Sequence, residues 1–295
     1  MNILKNKKNS WLLAVGGFCL LIAIPFLFYL GSEKVVPSRS PTSSLPMYVL
    51  SAIIIAPLLE EISFRGFFTG QKFLPIVSLV FICFFVLTQG THPLHFSLLL
   101  LFLLAYGWNH FRPIKVILNL SFIFNAALFA LIHYQIDTLA SPVIPLTQFG
   151  FGLILIWVVL NFGLLKTMIF HGILNALLIL ILIGGLQYPD QSVHKIETET
   201  YLLQWVRRPL INGKDGQIDF NSEGVNIKSL DAKTISSVMS PRETNLPIPL
   251  EPFMKYDITL SFKDTVSQKE IANTLLEVLK EEKILVVPEG DPGSQ

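Results

Sequence analysis

The chain has 295 residues, of which 52% are apolar and 15% charged, with a mean hydropathy of +0.57. Soluble domains carry about 25% charged residues, so these values exclude a wholly soluble globular protein. The net charge is +1 with no basic block, which gives a nucleic-acid partner no footing. Cys19 and Cys83 both fall inside apolar runs, so no disulfide framework is expected.

The first thirty residues carry Lys5, Lys7 and Lys8 and then an apolar run from Trp11 to Leu30. That run exceeds the hydrophobic region of a secretory leader, and no small-x-small cleavage site follows it cleanly. It reads as a retained first membrane helix. Residues 31–46, rich in Ser and Pro, read as a loop. A helix crossing the hydrocarbon core needs about 20 apolar residues, and the spans expected are 11–30, 47–68, 74–89, 94–111, 114–136, 147–165 and 167–186. Gly90 and Pro93 break the region that holds the third and fourth. No internal repeat is visible.

The fold class expected is an all-α polytopic membrane protein of about seven transmembrane helices with a small C-terminal α+β soluble domain. Its parts are an anchor helix and loop (1–46), a membrane core (47–186) and the soluble domain (187–295). With the N-terminus cytoplasmic, Lys5, Lys7, Lys8, Arg65, Lys72, Arg112, Lys115 and Lys166 fall on the inner side, and only Lys34 and Arg39 break the pattern. The expected location is an integral, multi-pass position in a prokaryotic plasma membrane.

Beyond Leu186 the composition becomes that of a soluble module. The stretch YDITLSF (256–262) alternates like a half-buried strand. SQKE (267–270) is a capping box, followed by an apolar helix face of Ile271, Leu275, Leu276 and Leu279. KILVV (283–287) reads as a closing strand, and KDG (214–216) as a hairpin turn. No catalytic constellation is visible in this module, and an interaction or regulatory role with a protein partner is expected.

Between Met47 and Leu186 the charged residues are Glu60, Glu61, Arg65, Lys72, Arg112, Lys115, Asp137 and Lys166. A charge at mid-bilayer costs about 2.5–3.5 kcal/mol on insertion scales, so such residues are rare there and functional by default. In LLEEISFRGFF (58–68), Glu61 and Arg65 are four apart on one helix face, acid first, the better order for an ion pair. Glu60 is rotated about 100° from Glu61 and lacks that partner. A solvated interfacial helix end would also explain this cluster. In FALIH (129–133) Phe129 and His133 share a face, and a packed polar residue is the plainer reading. In HGILN (171–175) His171 and Asn175 point the same way, as catalytic groups or as interhelical glue worth about 0.6 kcal/mol per bond.

Taken together, EExxxR, FxxxH and HxxxN, in that order on separate membrane helices, resemble the CPBP family. These are the CAAX-protease and bacteriocin-processing intramembrane endopeptidases, also called Abi or Rce1-like proteins. The resemblance covers about 47–186, and the gap between the first two motifs is longer than that family leads one to expect. It implies a metal-independent glutamic protease without a cofactor, acting on a membrane-associated peptide or protein within the lipid bilayer. Glu60 would be the general base, and His133 would hold and polarise the water. His171 and Asn175 would bind the oxyanion, Glu61 and Arg65 would orient the site, and Phe129 would pack beneath His133.

The expected spans raise one topological objection, because His133 and His171 approach opposite ends of their helices. A shared site would require the first helix to extend past Tyr134 and the second to begin before Lys166. Two rival readings stand beside the protease. One is an inactive membrane scaffold or immunity-type binding protein of the same fold. The other is a zinc metalloprotease using Glu60, His133 and His171, although no HExxH occurs. His92 and His95, in THPLH, are expected to tolerate substitution.

Overall fold

The computed structural model describes residues 9–30, 44–89, 92–133, 143–211, 216–240, 248–249 and 253–286. By internal contacts the chain divides into two units, one built on Met1–Ser38 and Pro46–Ala176, the other on Leu177–Gln295 with Arg39–Leu45.

The first unit is helical: α1 (Ser10–Leu30), α2 (Leu45–Phe68), α3 (Leu74–Gln89), α4 (Pro93–Phe111), α5 (Lys115–Ile132), α6 (Val143–Phe162) and the first half of α7 (Leu164–Gln187). Among the described residues, five helices are long and apolar enough to cross a membrane, and Ser10–Pro25 and Leu74–Thr88 are shorter apolar helices. The expected count of seven spans thus stands at five that meet the length, with the two short helices at the expected first and third positions.

Local chemistry sets the helix ends. His92 caps α4, its ring accepting from the Leu94 N–H at 3.2 Å, with Pro93 in the first turn. Gly163, at φ +86°, separates α6 from α7, a left-handed step that favours glycine. The break expected near Lys166 therefore lies at Gly163, and α7 begins at Leu164. At the other helix the expectation fails, because α5 ends at Ile132 with His133 as its C-cap rather than running past Tyr134.

Helix α2 is not uniform. Residues Leu45–Leu50 are α-helical, Ser51–Ile55 form a π-helical turn, Ala56–Arg65 return to α, and Gly66–Phe68 tighten to a 3₁₀ turn. Pro57, in the first turn after the π segment, has no N–H to give to the preceding turn. The unit's core gathers Phe64, Phe67 and Phe68 from α2 with Phe102, Phe122, Phe129, Leu153 and Ile156. Helices α1 and α6 meet through Gly16 and Gly150, where a Cβ on either would come within 2.8 Å of the other's carbonyl oxygen. Such close backbone approach is what small residues permit between membrane helices.

The second unit holds β1 (His194–Glu197), β2 (Tyr201–Arg208), β3 (Gln217–Asn221), β4 (Gly224–Asp231), α8 (Ala232–Met239), β5 (Ile248–Pro249), β6 (Lys255–Phe262), α9 (Gln268–Glu281) and β7 (Leu285–Val286). Five strands form an antiparallel sheet in the order β1-β2-β6-β4-β3. Leu203, Trp205, Val225, Ile227, Tyr256, Ile258 and Leu260 form its core with the apolar faces of α8 and α9. Leu186, near the end of α7, is buried in the same cluster.

The expected strand at 256–262 is β6, and Ser267 caps α9 by accepting from the Glu270 N–H at 3.2 Å. Of the expected KDG turn, Lys214 and Asp215 lie outside the described residues, and β3, which follows it, pairs with β4. The tight turn is Ser222–Glu223, between Asn221 and Gly224. Of KILVV, Leu285 and Val286 form β7, paired with β5, and Val287 lies outside the described residues.

Candidate active site

Three helices of the first unit supply the site. Glu60, Glu61 and Arg65 sit in the second α-helical part of α2, His133 caps α5, and His171 and Asn175 lie in the second and third turns of α7. The Glu60 carboxylate lies between two imidazoles, with Oε1 3.5 Å from His133 Nε2 and Oε2 3.8 Å from His171 Nε2. These distances bring His133 and His171 to one carboxylate although α5 ends at Ile132, so the expected extension past Tyr134 is not what unites them.

Each imidazole has its other nitrogen committed. His133 Nδ1 lies 2.7 Å from the Phe129 carbonyl oxygen, and His171 Nδ1 lies 2.9 Å from Glu61 Oε1. An oxygen acceptor at Nδ1 places the proton there, so the neutral tautomer turns its Nε2 lone pair toward Glu60. In that neutral form each ring faces the carboxylate with a lone pair, and a protonated ring would face it as a donor.

Glu61 and Arg65 behave differently from Glu60. Their side chains are 0% exposed, with Nε 3.4 Å from Oε2. The guanidinium carbon sits 4.1 Å from the Phe129 ring centroid and 5.6 Å from that of Phe64. The Glu60, His133 and His171 side chains keep 13%, 29% and 10% of their surface. Of the two adjacent glutamates, Glu60 is thus the one a substrate can reach. Phe129 also packs on His133, with ring centroids 4.6 Å apart, so one ring backs both the cation and the imidazole.

Asn175 reaches elsewhere. Its amide nitrogen donates to the Ala52 carbonyl oxygen at 2.8 Å, in the π-helical part of α2. One of its two N–H groups is therefore engaged with backbone.

His95 lies inside a helix rather than in a loop. It is buried inside α4, with Nε2 3.1 Å from the Leu131 carbonyl oxygen and Nδ1 3.1 Å from that of His92. It thereby braces the end of α5 two residues before His133. Asn125, also unforeseen, is fully buried and donates to the Phe64 carbonyl oxygen at 2.9 Å. The available signal for both was a polar side chain in an apolar helix, since a backbone carbonyl as partner leaves no trace in sequence. Among the described residues, no three His, Cys, Asp or Glu side chains are grouped as a metal-ligand set.

Residues 42–177 match the model of a family described as type II CAAX prenyl endopeptidase Rce1-like. Neither curated proteins nor solved structures give a match.

Proposed function

From the premise that residues 42–177 belong to the type II CAAX prenyl endopeptidase Rce1-like family, we propose that the chain is an intramembrane glutamic endopeptidase. Its substrate class is a membrane-anchored peptide tail of the prenylated CAAX kind. The observation that carries this reading is the Glu60 carboxylate set between the Nε2 atoms of His133 and His171 at 3.5 and 3.8 Å. A water has two O–H groups, one for the Glu60 carboxylate and one for the neutral His133 Nε2.

In the proposed reaction Glu60 takes a proton from that water while His133 Nε2 holds the oxygen in place. The hydroxide oxygen adds to the scissile carbonyl carbon, and the carbonyl π pair moves onto its oxygen. When the tetrahedral intermediate collapses, the C–N bond breaks and Glu60 returns the proton to the leaving amine. A placed general base gives about 10²–10⁴-fold. His171, entering the reaction as the imidazolium with Glu61 accepting from its Nδ1–H, donates to the oxyanion from Nε2–H and keeps both protons throughout. Such a donor contributes about 10²–10³-fold.

Five helices able to cross a membrane support an integral membrane location. The distribution of Lys and Arg favours a cytoplasmic N-terminus, in a prokaryotic plasma membrane. We assign residues 187–295 to a protein partner.

The test is cleavage of a farnesylated CAAX peptide by purified protein in detergent micelles. Glu60→Gln and His133→Ala are expected to lower kcat by at least about 10²-fold while the protein stays folded. Wild-type turnover by Glu60→Gln would sink the mechanism. Strong chelators are expected to leave the wild-type rate unchanged, and loss of activity restored by zinc would favour the metalloprotease instead.

A further inference from the structure

The two contacts that α7 makes with the π-helical part of α2 account for HGILN without calling on substrate. In that segment the Ala56 N–H bonds the Ser51 carbonyl oxygen, five residues back. The Ala52 carbonyl is thereby deprived twice. Its α-helical donor, Ala56, is already engaged, and its π-helical donor would be residue 57, a proline without an N–H. The Ile53 carbonyl would take its α-helical bond from the same proline. Within a bilayer no water makes good such a loss, so the freed carbonyls need partners from neighbouring helices.

Helix α7 bonds the first and closely approaches the second. Asn175 Nδ2 donates to the Ala52 oxygen at 2.8 Å. Gly172 lies so close to the Ile53 oxygen that a Cβ there would stand 2.8 Å from it. One turn away on the same helix, His171 touches Glu60 and Glu61. The Ala52 carbonyl that Pro57 frees is thus tied to the helix that carries His171, and the tie lies eight residues before Glu60.

We propose that Asn175, with Gly172, is a positioning residue that clasps the Pro57-dependent π segment and so sets the spacing between Glu60 and His171. The effect of Asn175 on cleavage would then pass through the backbone of α2 rather than through an oxyanion. The positioning role rests on the protease reading above, whereas the clasp itself does not.

The experiment is a cycle of Asn175→Ala, Pro57→Ala and the double variant in the full chain, read by thermal midpoint in detergent and by kcat on the farnesylated peptide. Asn175→Ala leaves the Ala52 carbonyl without a donor and is expected to lower the midpoint by about 3–10 °C. Pro57→Ala returns a backbone N–H to that turn, so the double variant is expected to regain most of the midpoint and most of the lost kcat. Should Asn175→Ala alone fail to fold, a folded double variant is the same result.

A midpoint deficit that Pro57→Ala does not recover, or no deficit at all, overturns the clasp. A recovered midpoint with kcat still at the Asn175→Ala value overturns the positioning role and makes Asn175 a direct contact of the substrate. If the wild-type chain cleaves nothing, the protease reading fails while the midpoint cycle still decides the clasp.

Discussion

Arg65→Met puts the buried charge balance under the site to a quantitative test. Both Arg65 and Glu61 are fully withdrawn from solvent, 3.4 Å apart, and among the described residues no guanidinium nitrogen has a hydrogen-bond partner. Removing the cation strands the Glu61 carboxylate, and breaking a buried pair from one side costs about 3–5 kcal/mol. Loss of the contact with Phe129 at 4.1 Å adds about 0.5–2 kcal/mol. The His171 Nδ1–H, 2.9 Å from the other carboxylate oxygen, offsets part of the sum, so about 3–5 kcal/mol is expected overall.

Adding Glu61→Gln removes the stranded charge and leaves an amide oxygen to accept from His171. The double variant should then return to within about 1–2 kcal/mol of wild type, as a neutral replacement of a buried pair does. The measurement is reversible unfolding in mixed detergent micelles, followed by tryptophan fluorescence. An Arg65→Met protein within about 1 kcal/mol of wild type would refute the balance, as would a double variant no more stable than the single.

Three smaller outcomes follow from the same geometry. His95→Ala should destabilise by about 1–3 kcal/mol by leaving the Leu131 carbonyl unpaired, and in a hydrogen-exchange map the loss of protection should centre on the end of α5; unchanged protection there would contradict the brace. Ser267→Ala should cost about 1 kcal/mol through its lost cap on α9, with peptide cleavage unaffected. Gly150→Val should separate α1 from α6, and a cysteine pair placed across that crossing should lose its cross-linking yield.

The membrane helices were legible because each is a predominantly apolar run, and their observed limits lie within a few residues of those expected. The largest shifts, about four residues, are at the end of α5 and the start of α6, and at Gly163 a single left-handed glycine makes the break although the nearest charge is Lys166. The three motifs were legible as clusters of costly polar side chains, and helical spacing separated Glu60 from the Glu61–Arg65 face. What could not be read was every contact to a backbone carbonyl. Asn175 on Ala52, Asn125 on Phe64 and His95 on Leu131 all depend on where a distant helix leaves a peptide group unpaired. The second attachment of His171, to Glu61 at Nδ1, was hidden for a related reason, because residues 110 positions apart share no periodicity. In the second unit the strands were visible as alternation, but their order was not. The KDG sequence favours a turn, and the hairpin of β3 with β4 closes at Ser222–Glu223.

The glycine crossing of α1 and α6 has a consequence in time. Gly16 finds its complement only when Gly150 has been made, roughly 130 residues later. At cellular synthesis rates of about 5–20 residues per second, the first helix waits about 7–27 s for its partner. Throughout that interval its bare backbone groove lies open to any other helix being inserted nearby. Biogenesis therefore favours a α1 that stays beside the insertion machinery, or that is shielded there, until the sixth helix arrives to close the crossing.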